Sequence, residues 1–509
     1  MRSIFKVFGK LALCGLAGLA LPAETTFTTL YSFCLQTGCT DGETPWGLVQ
    51  AVNGDLYGTT YGSLDPNAAN GYSLGTVFKI SPSGTLKTVY AFCAQTGCPD
   101  GEYPPAGLVQ GVNGELYGTT QYGGDNAGPL GVGGGTVFKI SPAGKLTTLY
   151  DFCAQSACKD GLYPIAGLVR AANGDLYGST SAGGLYSYGT IFKITPNGTL
   201  TTLYSFCSEG GACTDGQYPV GALIQARNGY LYGTTSEGGG TTSNGGTIFK
   251  ITTSGKLTTL YRFCAQANCS DGANPNGLVQ AADGDFYGVT QSGGTHNTFP
   301  PAGLAGTIFK ITASGKLTTL YNFCAETNCA DGIRPNPTLL QATDGDLYGT
   351  TVYGGAYGPL YGTVFKITPG GTLTTLHGFC AQSGCPDGYG PISGLIQATD
   401  GDLYGTASEG GANPSPDYSG GTVFRLSVGL EPFVKTLPVI GTTDSKVDIL
   451  GNDLIGATSV SFNGTPAVFE VVSNSEITTT VPTGATSGTV EVVTPERTLK
   501  SNVRFEVSP

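Results

Sequence analysis

Apolar residues alternate with polar or small residues in short runs that recur along most of the chain. Four such runs occur in one representative unit, at 107–112, 115–120, 136–140 and 145–152. None of them keeps a helical period over the length that a helix needs. Asn113-Gly114 and the segment 141–144 separate consecutive runs with residues typical of tight hairpin turns. The pattern therefore predicts four antiparallel strands in each unit.

The unit recurs seven times. The first cysteine of each unit shows the period, since these cysteines follow one another at intervals of 54 to 60 residues from Cys34 to Cys380. The second and third runs are apolar on both faces, as Leu116 and Tyr117 illustrate, since neighbouring strand residues point to opposite sides. A single unit cannot bury such a sheet, so adjacent units must cover it. Four-stranded sheets that are repeated and stacked in this way predict an all-β propeller with seven blades.

The two ends of the repeat array predict how the propeller closes. The array begins with a lone run of the fourth type at 27–33, before any run of the first type. It ends with a run of the third type at 421–426, and no fourth run follows. We expect 27–33 to complete the last blade, formed by 394–426, so that an N-terminal strand closes the ring.

The whole length of the repeat, and not only a part of it, resembles the repeat of a known family. Its consensus reads GLVQAxNGDLYGTTxxGGxxxxGTVFKIT followed by TTLYSF, and it covers about 25–427. This pattern is similar to the GloVer (Gloeobacter/Verrucomicrobia) repeat of exported bacterial proteins. The resemblance implies a propeller-like fold and an extracellular location, but it implies no known activity.

The sequence after the repeats follows a different pattern. The segment VDILGNDLIGATSVSFNGTPAVFEVVSNSEITTT and the residues after it resemble the IPT/TIG immunoglobulin-like family in the order of their short strands. The predicted organisation is a signal peptide at 1–23, a propeller at 24–428, a linker at 429–438 and a small β-sandwich at 439–509. In exported proteins, the resemblance implies that such a domain serves as a spacer or a contact domain.

The N-terminus and the charge balance indicate a secreted or cell-surface protein. Three basic residues, Arg2, Lys6 and Lys10, precede an apolar run at 11–21, as in a secretory signal. The formal net charge is −12, and only 12% of the residues are charged. An acidic exported chain is a poor ligand for nucleic acids or anionic membranes. We expect a monomer with no transmembrane segment and no cofactor.

Fourteen of the fifteen cysteines form seven local pairs, one in each unit, and Cys14 lies in the expected signal. An oxidising compartment favours disulfides, whereas zinc shared between two pairs would require distant pairs to meet and lacks histidine ligands. The predicted disulfides are Cys34–Cys39, Cys93–Cys98, Cys153–Cys158, Cys207–Cys213, Cys264–Cys269, Cys324–Cys329 and Cys380–Cys385.

Charged residues also recur with the period of the repeat. An aspartate follows each second cysteine; these are Asp41, Asp100, Asp160, Asp215, Asp271, Asp331 and Asp387. Local turns that bind backbone N–H groups are favoured over a calcium or substrate ring. The third strands carry Lys79, Lys139, Lys193, Lys250, Lys310, Lys366 and Arg425, which we expect to pair with neighbouring acids. Hairpins such as 344–346 contain only a fragment of a calcium loop and are interpreted as plain turns.

Catalysis has little support in the sequence. The chain has two histidines, and it carries no nucleophile elbow, metal-binding histidine pair or phosphate loop. A glycoside hydrolase needs two carboxylates, so a carbohydrate-active enzyme, hydrolase or lyase, stays an alternative. Its acids would lie where the units differ, at Asp65, Asp125, Glu237, Glu409 or Asp417.

The sequence favours a binding or adhesion module for a polysaccharide or a protein partner. In a four-stranded blade, the Gly-rich loop after strand two and the disulfide loop after strand four emerge on the same face, where recognition usually concentrates. Aromatic residues in these loops suit sugar rings or a protein partner, although packing between blades is an equal alternative. The candidate binding residues are Trp46, Tyr61, Tyr122, Tyr186, Tyr353, Tyr357 and Tyr418. A structural component of the cell envelope is the third possibility.

Overall fold

The computed structural model describes residues 25–35, 39–62, 74–111, 114–128, 131–240, 245–296, 305–412 and 420–508. The expected signal peptide at 1–23 lies outside these ranges, as do the turn residue Asn113 and the candidates Asp65, Asp417 and Tyr418. In the part of the chain that is described, no helix is both long enough and apolar enough to cross a membrane.

The repeats form antiparallel sheets, seven of which fall within the described ranges. Strand β1 (Thr26–Ser32) precedes the first sheet. The first three sheets contain β2 (Glu43–Gln50), β3 (Leu56–Gly62), β4 (Thr76–Ile80) and β5 (Leu86–Ala91); β6 (Val109–Gln110), β7 (Leu116–Thr120), β8 (Thr136–Ile140) and β9 (Leu146–Asp151); and β10 (Val169–Arg170), β11 (Leu176–Thr180), β12 (Thr190–Ile194) and β13 (Leu200–Ser205).

The next four sheets repeat the same order, with the first strand of each unit innermost. The fourth and fifth contain β14 (Ile224–Gln225), β15 (Leu231–Thr235), β16 (Thr247–Ile251) and β17 (Leu257–Arg262); and β18 (Ala273–Gln280), β19 (Phe286–Ser292), β20 (Thr307–Ile311) and β21 (Leu317–Asn322). The sixth and seventh contain β22 (Ile333–Pro335), β23 (Leu340–Gln341), β24 (Leu347–Tyr353), β25 (Thr363–Ile367) and β26 (Leu373–Gly378); and β27 (Ile396–Gln397), β28 (Leu403–Ala407) and β29 (Thr422–Ser427).

A glycine on the second strand of each sheet makes room for an aromatic ring on the third strand. In the third sheet, Gly178 is paired across the ladder with Phe192. A Cβ atom on Gly178 would lie only 2.5 Å from Phe192 Cζ and 2.8 Å from Leu168 Cδ2. The glycine in the recurrent Leu-Tyr-Gly motif is therefore required by packing, although glycine is otherwise a poor strand residue.

Hydrophobic clusters join each sheet to the next along the chain. Between the third and fourth sheets, Tyr177 and Phe206 pack with Leu231 and Phe249. A cluster of the same kind joins the seventh sheet to the first, and it includes Phe33, Leu48, Phe78, Tyr404 and Val423. Each sheet is thus covered on both faces, as the two-sided apolar pattern predicts.

Strand β1 joins the last sheet, as predicted from the ends of the array. It pairs antiparallel with β29, from Thr26 opposite Ser427 to Ser32 opposite Thr422. The Phe27 ring stacks on His377 with a centroid distance of 3.8 Å. The two ends of the repeat array are therefore held together by a backbone ladder and by aromatic packing.

Glutamine side chains at the ends of the inner strands link neighbouring units. In each link, the side-chain oxygen accepts a hydrogen bond from a backbone N–H of the preceding unit. The pairs are Gln110–Val52, Gln225–Ala172, Gln280–Arg227, Gln341–Ala282, Gln397–Thr343 and Gln50–Thr399, at 2.7 to 3.1 Å. The Gln50–Thr399 pair connects the first unit with the seventh. The third unit has Arg170 in the place of this glutamine.

The C-terminal region is a β-sandwich. Its strands are β30 (Lys435–Leu437), β31 (Ile440–Gly441), β32 (Lys446–Leu450), β33 (Ser459–Phe462), β34 (Thr465–Pro466), β35 (Phe469–Val471), β36 (Glu476–Thr480), β37 (Val490–Val493), β38 (Thr498–Lys500) and β39 (Glu506–Val507). Two four-stranded sheets enclose a core that includes Val447, Val460, Ile477 and Val490. Part of the segment expected to be a linker is also packed, because Phe433 and Val434 are buried.

The sandwich contacts the tight-turn ends of the first, third and seventh units. Ser475 Oγ donates to Val52 O at 2.9 Å, and Lys435 Nζ donates to Gln397 O. Arg170 lines a crevice together with sandwich residues such as Ile440 and Lys446. Burial lowers the pKa of the Arg170 guanidinium, and the charge of Asp448 on the sandwich opposes that shift. The unit that departs from the glutamine pattern is therefore one on which the sandwich rests.

We expect Arg170→Gln to loosen the sandwich without disturbing the repeats. The new glutamine matches the other inner strands, while Asp448 loses its charged neighbour in the repeats. The attraction between the two charges contributes at most about 1 kcal/mol, so the docking equilibrium should change by no more than roughly fivefold. Limited proteolysis at 429–438 and small-angle scattering measure that change. Arg497→Gln, a change at an exposed residue of the sandwich, is the control, and identical cleavage of both variants would contradict the assignment.

Candidate functional site

The Gly-rich loops and the disulfide loops lie together on one face of the repeat region. In the second unit, Gly124 N donates to Cys98 O at 2.9 Å, and the equivalent bond joins Gly184 to Cys158. The same contact recurs in the fourth to seventh units, for example between Gly355 and Cys329. We call this side the loop face, and the side with the two-residue hairpins the tight-turn face.

All seven predicted disulfides are present, each within its own unit: Cys34–Cys39, Cys93–Cys98, Cys153–Cys158, Cys207–Cys213, Cys264–Cys269, Cys324–Cys329 and Cys380–Cys385. Three of the loops contain a short 3-10 turn, at Ser156–Cys158, Ala267–Cys269 and Thr327–Cys329. Each disulfide closes a short segment and so rigidifies the loop face.

The recurrent aspartates hold the disulfide loops, as the turn interpretation predicts. Asp100 Oδ2 accepts hydrogen bonds from Tyr90 Oη at 2.9 Å and from Cys93 N at 3.0 Å. Burial raises the pKa of Asp100, and the hydrogen bond from Tyr90 opposes that shift. The same tyrosine pairing recurs in six units, and in the seventh His377 replaces the tyrosine at 3.0 Å from Asp387. In every unit at least one oxygen of this carboxylate accepts from local donors, which indicates a structural role.

The recurrent basic residues pair with acids of their own units, as expected, with one exception. The ion pairs are Lys79–Asp55, Lys139–Glu115, Lys193–Asp175, Lys310–Asp283, Lys366–Asp346 and Arg425–Asp402, at 2.9 to 3.6 Å. Lys250 instead lies 5.5 Å from the centre of the Tyr230 ring. The interpretation of 344–346 as a plain turn also holds, because Asp344 accepts from Tyr348 Oη and from Asp346 N.

Five aromatic residues form a continuous row across the first three units of the loop face. Ring-centre distances are 6.1 Å from Trp46 to Tyr61, 4.7 Å from Tyr61 to Tyr103, 5.9 Å from Tyr103 to Tyr122 and 4.9 Å from Tyr122 to Tyr163. We call this row the aromatic arc. Offset and edge-to-face contacts at such distances are favourable, so the rings hold each other in place.

Hydrogen bonds and burial keep the arc uncharged. Tyr61 Oη donates to Gln121 Oε1 at 2.9 Å, and Gln121 Nε2 donates to Tyr122 Oη at 2.9 Å. Burial raises the pKa of Tyr61 to about 12, with smaller contributions from Tyr122, Tyr103 and Glu102. Burial also raises the pKa of Glu102, next to the arc, and the charge of Asp100 adds to that effect. The arc therefore offers flat apolar surface with neutral hydroxyl groups.

Tyr103 and Tyr163 occupy a position where every unit has a left-handed backbone. Its φ lies between 54° and 59° at Thr44, Tyr103, Tyr163, Tyr218, Asn274, Arg334 and Gly390. Glycine and asparagine adopt this conformation readily, whereas tyrosine does so at a cost of order 1–3 kcal/mol. The backbone requirement alone would thus favour Gly or Asn. The tyrosines are explained by what their side chains contribute.

A cavity of about 480 Å³ lies beside the arc, and the inner segments of all seven units line it. Trp46 and Tyr61 of the arc line the cavity, together with apolar residues such as Pro105, Ile165 and Ile392. The described residues that line it include no Asp, Glu, Lys, Arg or His. The inner segments of neighbouring units pack closely along its wall, because a Cβ on Gly47 would lie 3.2 Å from Gly107.

The structure brings three of the predicted binding residues together and separates the others. Trp46, Tyr61 and Tyr122 belong to the arc. Tyr186 and Tyr357 are 45% and 55% exposed, near the outer strands of the third and sixth units. Tyr353 lies apart in the sixth unit, where the Arg334 guanidinium is 6.0 Å from its ring centre.

Tyr103 and Tyr163 belong to the arc but are not among the residues that the sequence predicts for binding. Both stand two residues after the Asp-Gly pair that follows each disulfide, at a position that is Tyr in three units and Thr, Asn, Arg or Gly in the other four. The change of residue type at one position of an otherwise regular repeat is the feature of the sequence from which these two residues could have been predicted. Their rings meet the arc only because adjacent units are packed side by side.

The described acids that were considered for catalysis lie in three different units. Glu237 accepts a hydrogen bond from Gln217 Nε2 at 3.1 Å, and Glu409 pairs across the strands with Tyr389. Asp125 lies in an exposed loop of the second unit. Each of these carboxylates is thus placed by its own unit, and the contacts give no reason to assign them a common substrate.

The fold and the loop face define a disulfide-stapled, all-β repeat protein that carries an immunoglobulin-like sandwich. The chain belongs to the Gloeobacter/Verrucomicrobia repeat family, which matches residues 19–245, 100–299 and 240–444. Residues 433–507 match the IPT/TIG domain. No curated protein matches the chain.

Several solved structures are distantly similar in fold. One is described as a gluconolactonase, with 13% identity, a TM-score of 0.37 and coverage of 81% of this chain and 94% of that chain. Another is described as the extracellular domain of a hybrid two-component system from B. thetaiotaomicron, with 11% identity, a TM-score of 0.48 and coverage of 96% and 58%. A protein of unknown function from Dyadobacter fermentans has 11% identity, a TM-score of 0.40 and coverage of 80% and 99%. Likenesses this distant carry no activity over to this chain.

Proposed function

We propose that the chain is a secreted binding module, built as a closed seven-bladed propeller with its ligand site on the loop face. Closure is supported by the pairing of β1 with β29 and by the cluster that joins the seventh sheet to the first. The hydrogen bond from Thr44 N to Gly420 O, at 2.9 Å, also connects the two ends of the array. The proposed domains are the propeller at 24–428 and the sandwich at 439–509.

One observation carries the binding role. On the loop face, all seven units keep the same left-handed position while the side chain at that position changes. A regular frame with variable side chains gives a ring-shaped protein an asymmetric surface, which specific recognition requires. In the first three units, that surface is the aromatic arc beside an uncharged cavity.

Secretion is supported by the disulfides, which persist in oxidising compartments, and by the signal-like pattern at 1–23. The partner is a glycan or a protein, because tyrosine and tryptophan combine apolar faces with polar edges and dominate binding energy at both kinds of interface. A carbohydrate-active enzyme and a structural envelope component without a ligand are the competing possibilities.

We expect Trp46→Ala and Tyr122→Ala to weaken ligand binding at least about tenfold, because buried aromatic anchors contribute ~1.4 kcal/mol or more. Tyr353→Ala tests whether the binding surface extends to the sixth unit, with weaker binding expected there too. Binding is measured against panels of polysaccharides and extracellular proteins, and the release of reducing ends is followed in parallel.

Tyr230→Ala is the matched control, because Tyr230 is 38% exposed in a hairpin on the tight-turn face. It should leave binding unchanged. Equal losses in the control and in the Trp46 variant would refute the assignment to the loop face. Turnover of a polysaccharide would favour the enzyme, and saturable binding without turnover would favour the module.

A further inference from the structure

The loop segments of the first two units are acidic and contain no basic residue. The disulfide loops and the Gly-rich loops of these units, at 33–47, 61–75, 92–107 and 121–135, contain acids but no Lys, Arg or His. The corresponding loops of the later units include Lys159, His296 and Arg334. The loops that carry most of the aromatic arc therefore have negative charge without a positive charge of their own.

Two of these acids stand next to the aromatic arc. Burial raises the pKa of Tyr103, and the charges of Glu102 and Glu43 add to that shift. Glu102 Oε2 lies 3.4 Å from the Sγ atom of Cys98, which is part of a disulfide and has no proton to donate. Among the described residues, no group donates a hydrogen bond to the Glu102 carboxylate or forms an ion pair with it. A partly buried carboxylate without a donor is costly, so a cation from outside would stabilise it.

The sixth unit shows that a tyrosine at this loop position accepts a guanidinium group. Tyr353 corresponds to Tyr122 in the repeat, and Arg334 corresponds to Tyr103. The Arg334 guanidinium lies 6.0 Å from the centre of the Tyr353 ring, about the distance of a cation–π contact. The second unit keeps the tyrosine but has Tyr103 where the sixth unit has its cation. The second unit thus offers rings and a carboxylate, and a cation would have to come from another molecule.

We propose that the aromatic arc docks an arginine-rich segment of a protein partner, with guanidinium groups against the tyrosine rings and next to Glu102. This inference rests on the proposed binding function and names the chemistry of the partner. All five ring residues of the arc, as well as Glu43 and Glu102, keep part of their surface exposed to solvent. Because the rings form a row, a chain with several cations covers them better than a single small cation does.

The chemistry of the arc favours arginine over the ammonium groups of an amino-sugar polymer. A guanidinium is planar and weakly hydrated, so it stacks on aromatic faces and binds a carboxylate through two parallel hydrogen bonds. An ammonium group is a strongly hydrated point charge that makes neither arrangement. The cation that the sixth unit places over Tyr353 is likewise a guanidinium. A basic protein segment is therefore the expected partner, and an amino-sugar oligomer is the competing ligand in the test.

Trp46 allows a direct test, because it belongs to the arc and is the single tryptophan of the chain. A peptide of alternating Arg and Gly is titrated while Trp46 emission is recorded, and calorimetry gives the affinity. Matched peptides with Gln or Asp in place of Arg, and a glucosamine oligomer, serve as comparison ligands. We expect saturable binding of the arginine peptide and at least about tenfold weaker binding of each comparison ligand. Raising the salt concentration from about 0.05 to 0.5 M should weaken the binding, because salt screens the attraction between charges.

Two variants with opposite expectations relate the binding to the charge beside the arc. Glu102→Gln removes the charge and keeps the shape of the side chain, and it should weaken binding of the arginine peptide about tenfold. Glu326→Gln is the matched control, because it removes one exposed charge from the disulfide loop of the sixth unit. It should leave the affinity unchanged.

Tyr103→Arg copies the sixth unit and should block the site from within. Its guanidinium should lie against Tyr122, as that of Arg334 lies against Tyr353, and should reduce peptide binding at least about tenfold. The melting temperature should stay the same, because Tyr103 and Arg334 share the same left-handed backbone, with φ of 54° at both. If this variant fails to fold, Glu102→Gln provides the test by itself.

Several results would overturn the inference. They are equal or tighter binding of any comparison ligand, equal effects of Glu102→Gln and Glu326→Gln, or an affinity that does not depend on salt. Absence of binding to the arginine peptide would also overturn it. If a neutral glycan or another protein still bound in that case, and Trp46→Ala weakened that binding, the proposed binding function would stand and only its ligand class would be wrong.

Discussion

Deleting residues 27–33 is expected to lower the free energy of unfolding by more than about 5 kcal/mol, a large part of the stability of a domain. The deletion removes Phe27, which stacks on His377 and Phe424, and Phe33, which is 1% exposed in the cluster between the seventh and first sheets. It also exposes the edge of β29, which then offers unpaired backbone groups to other chains. Thermal unfolding and protease resistance measure the effect.

A synthetic peptide of residues 25–35, added in excess, should restore part of the lost stability by pairing with β29. Two single changes provide further measurements if the truncated chain does not fold. Phe33→Ala should cost about 3–5 kcal/mol, as for other buried aromatic residues, while Thr26→Ala at the exposed start of the strand should cost little. An unchanged melting temperature after the deletion would argue for an open array of units rather than a closed ring.

Gly178→Val is expected to destabilise the protein by about 3 kcal/mol or more, although valine is the better strand former. The space above Gly178 is filled by the Phe192 ring, and a Cβ atom would lie 2.5 Å from Phe192 Cζ. The residue has an ordinary strand conformation, so the loss comes from packing and not from the backbone. Chemical denaturation with fluorescence detection of Trp46 measures the change.

Two companion variants test that explanation. Gly370→Ala changes an exposed glycine whose nearest neighbouring atom to a new Cβ is 3.7 Å away, and it should alter stability by no more than about 0.5 kcal/mol. Adding Phe192→Leu to Gly178→Val should recover part of the loss, because the two side chains share the same space. A stable Gly178→Val protein would show that the sheet relaxes around the added methyl groups.

The aromatic arc illustrates how a repeat protein acquires a unique site. Its five rings come from three units that differ little in backbone, and its special residues stand where the repeat varies in side chain or in length. The same holds for Arg170, the one inner-strand position that departs from the glutamine pattern and that faces the sandwich. In both places, a small departure from the repeat distinguishes one part of the repeat region from the others.

The sequence by itself determined the features that depend on short separations along the chain. The four strands of each unit, their tight turns, the seven disulfides and the aspartate that holds each disulfide loop all involve residues within a few positions of one another. Such contacts form wherever the local pattern is present, because little chain entropy opposes them. Even the pairing of β1 with β29 could be predicted, since the missing and extra strands at the two ends match.

Only the tertiary structure decided which side chains from different units meet. Tyr61, Tyr103 and Tyr163 are far apart in sequence, and the row that they form depends on how adjacent sheets are packed and on which loop positions of neighbouring units meet. Tyr353 has the same local sequence as Tyr122, with two threonines before it and Gly-Gly after it, yet it is not part of the arc, because its neighbour in the sixth unit is Arg334 rather than a tyrosine. Periodicity specifies which residues each unit carries, whereas the angle and spacing between units set the distances that make a site.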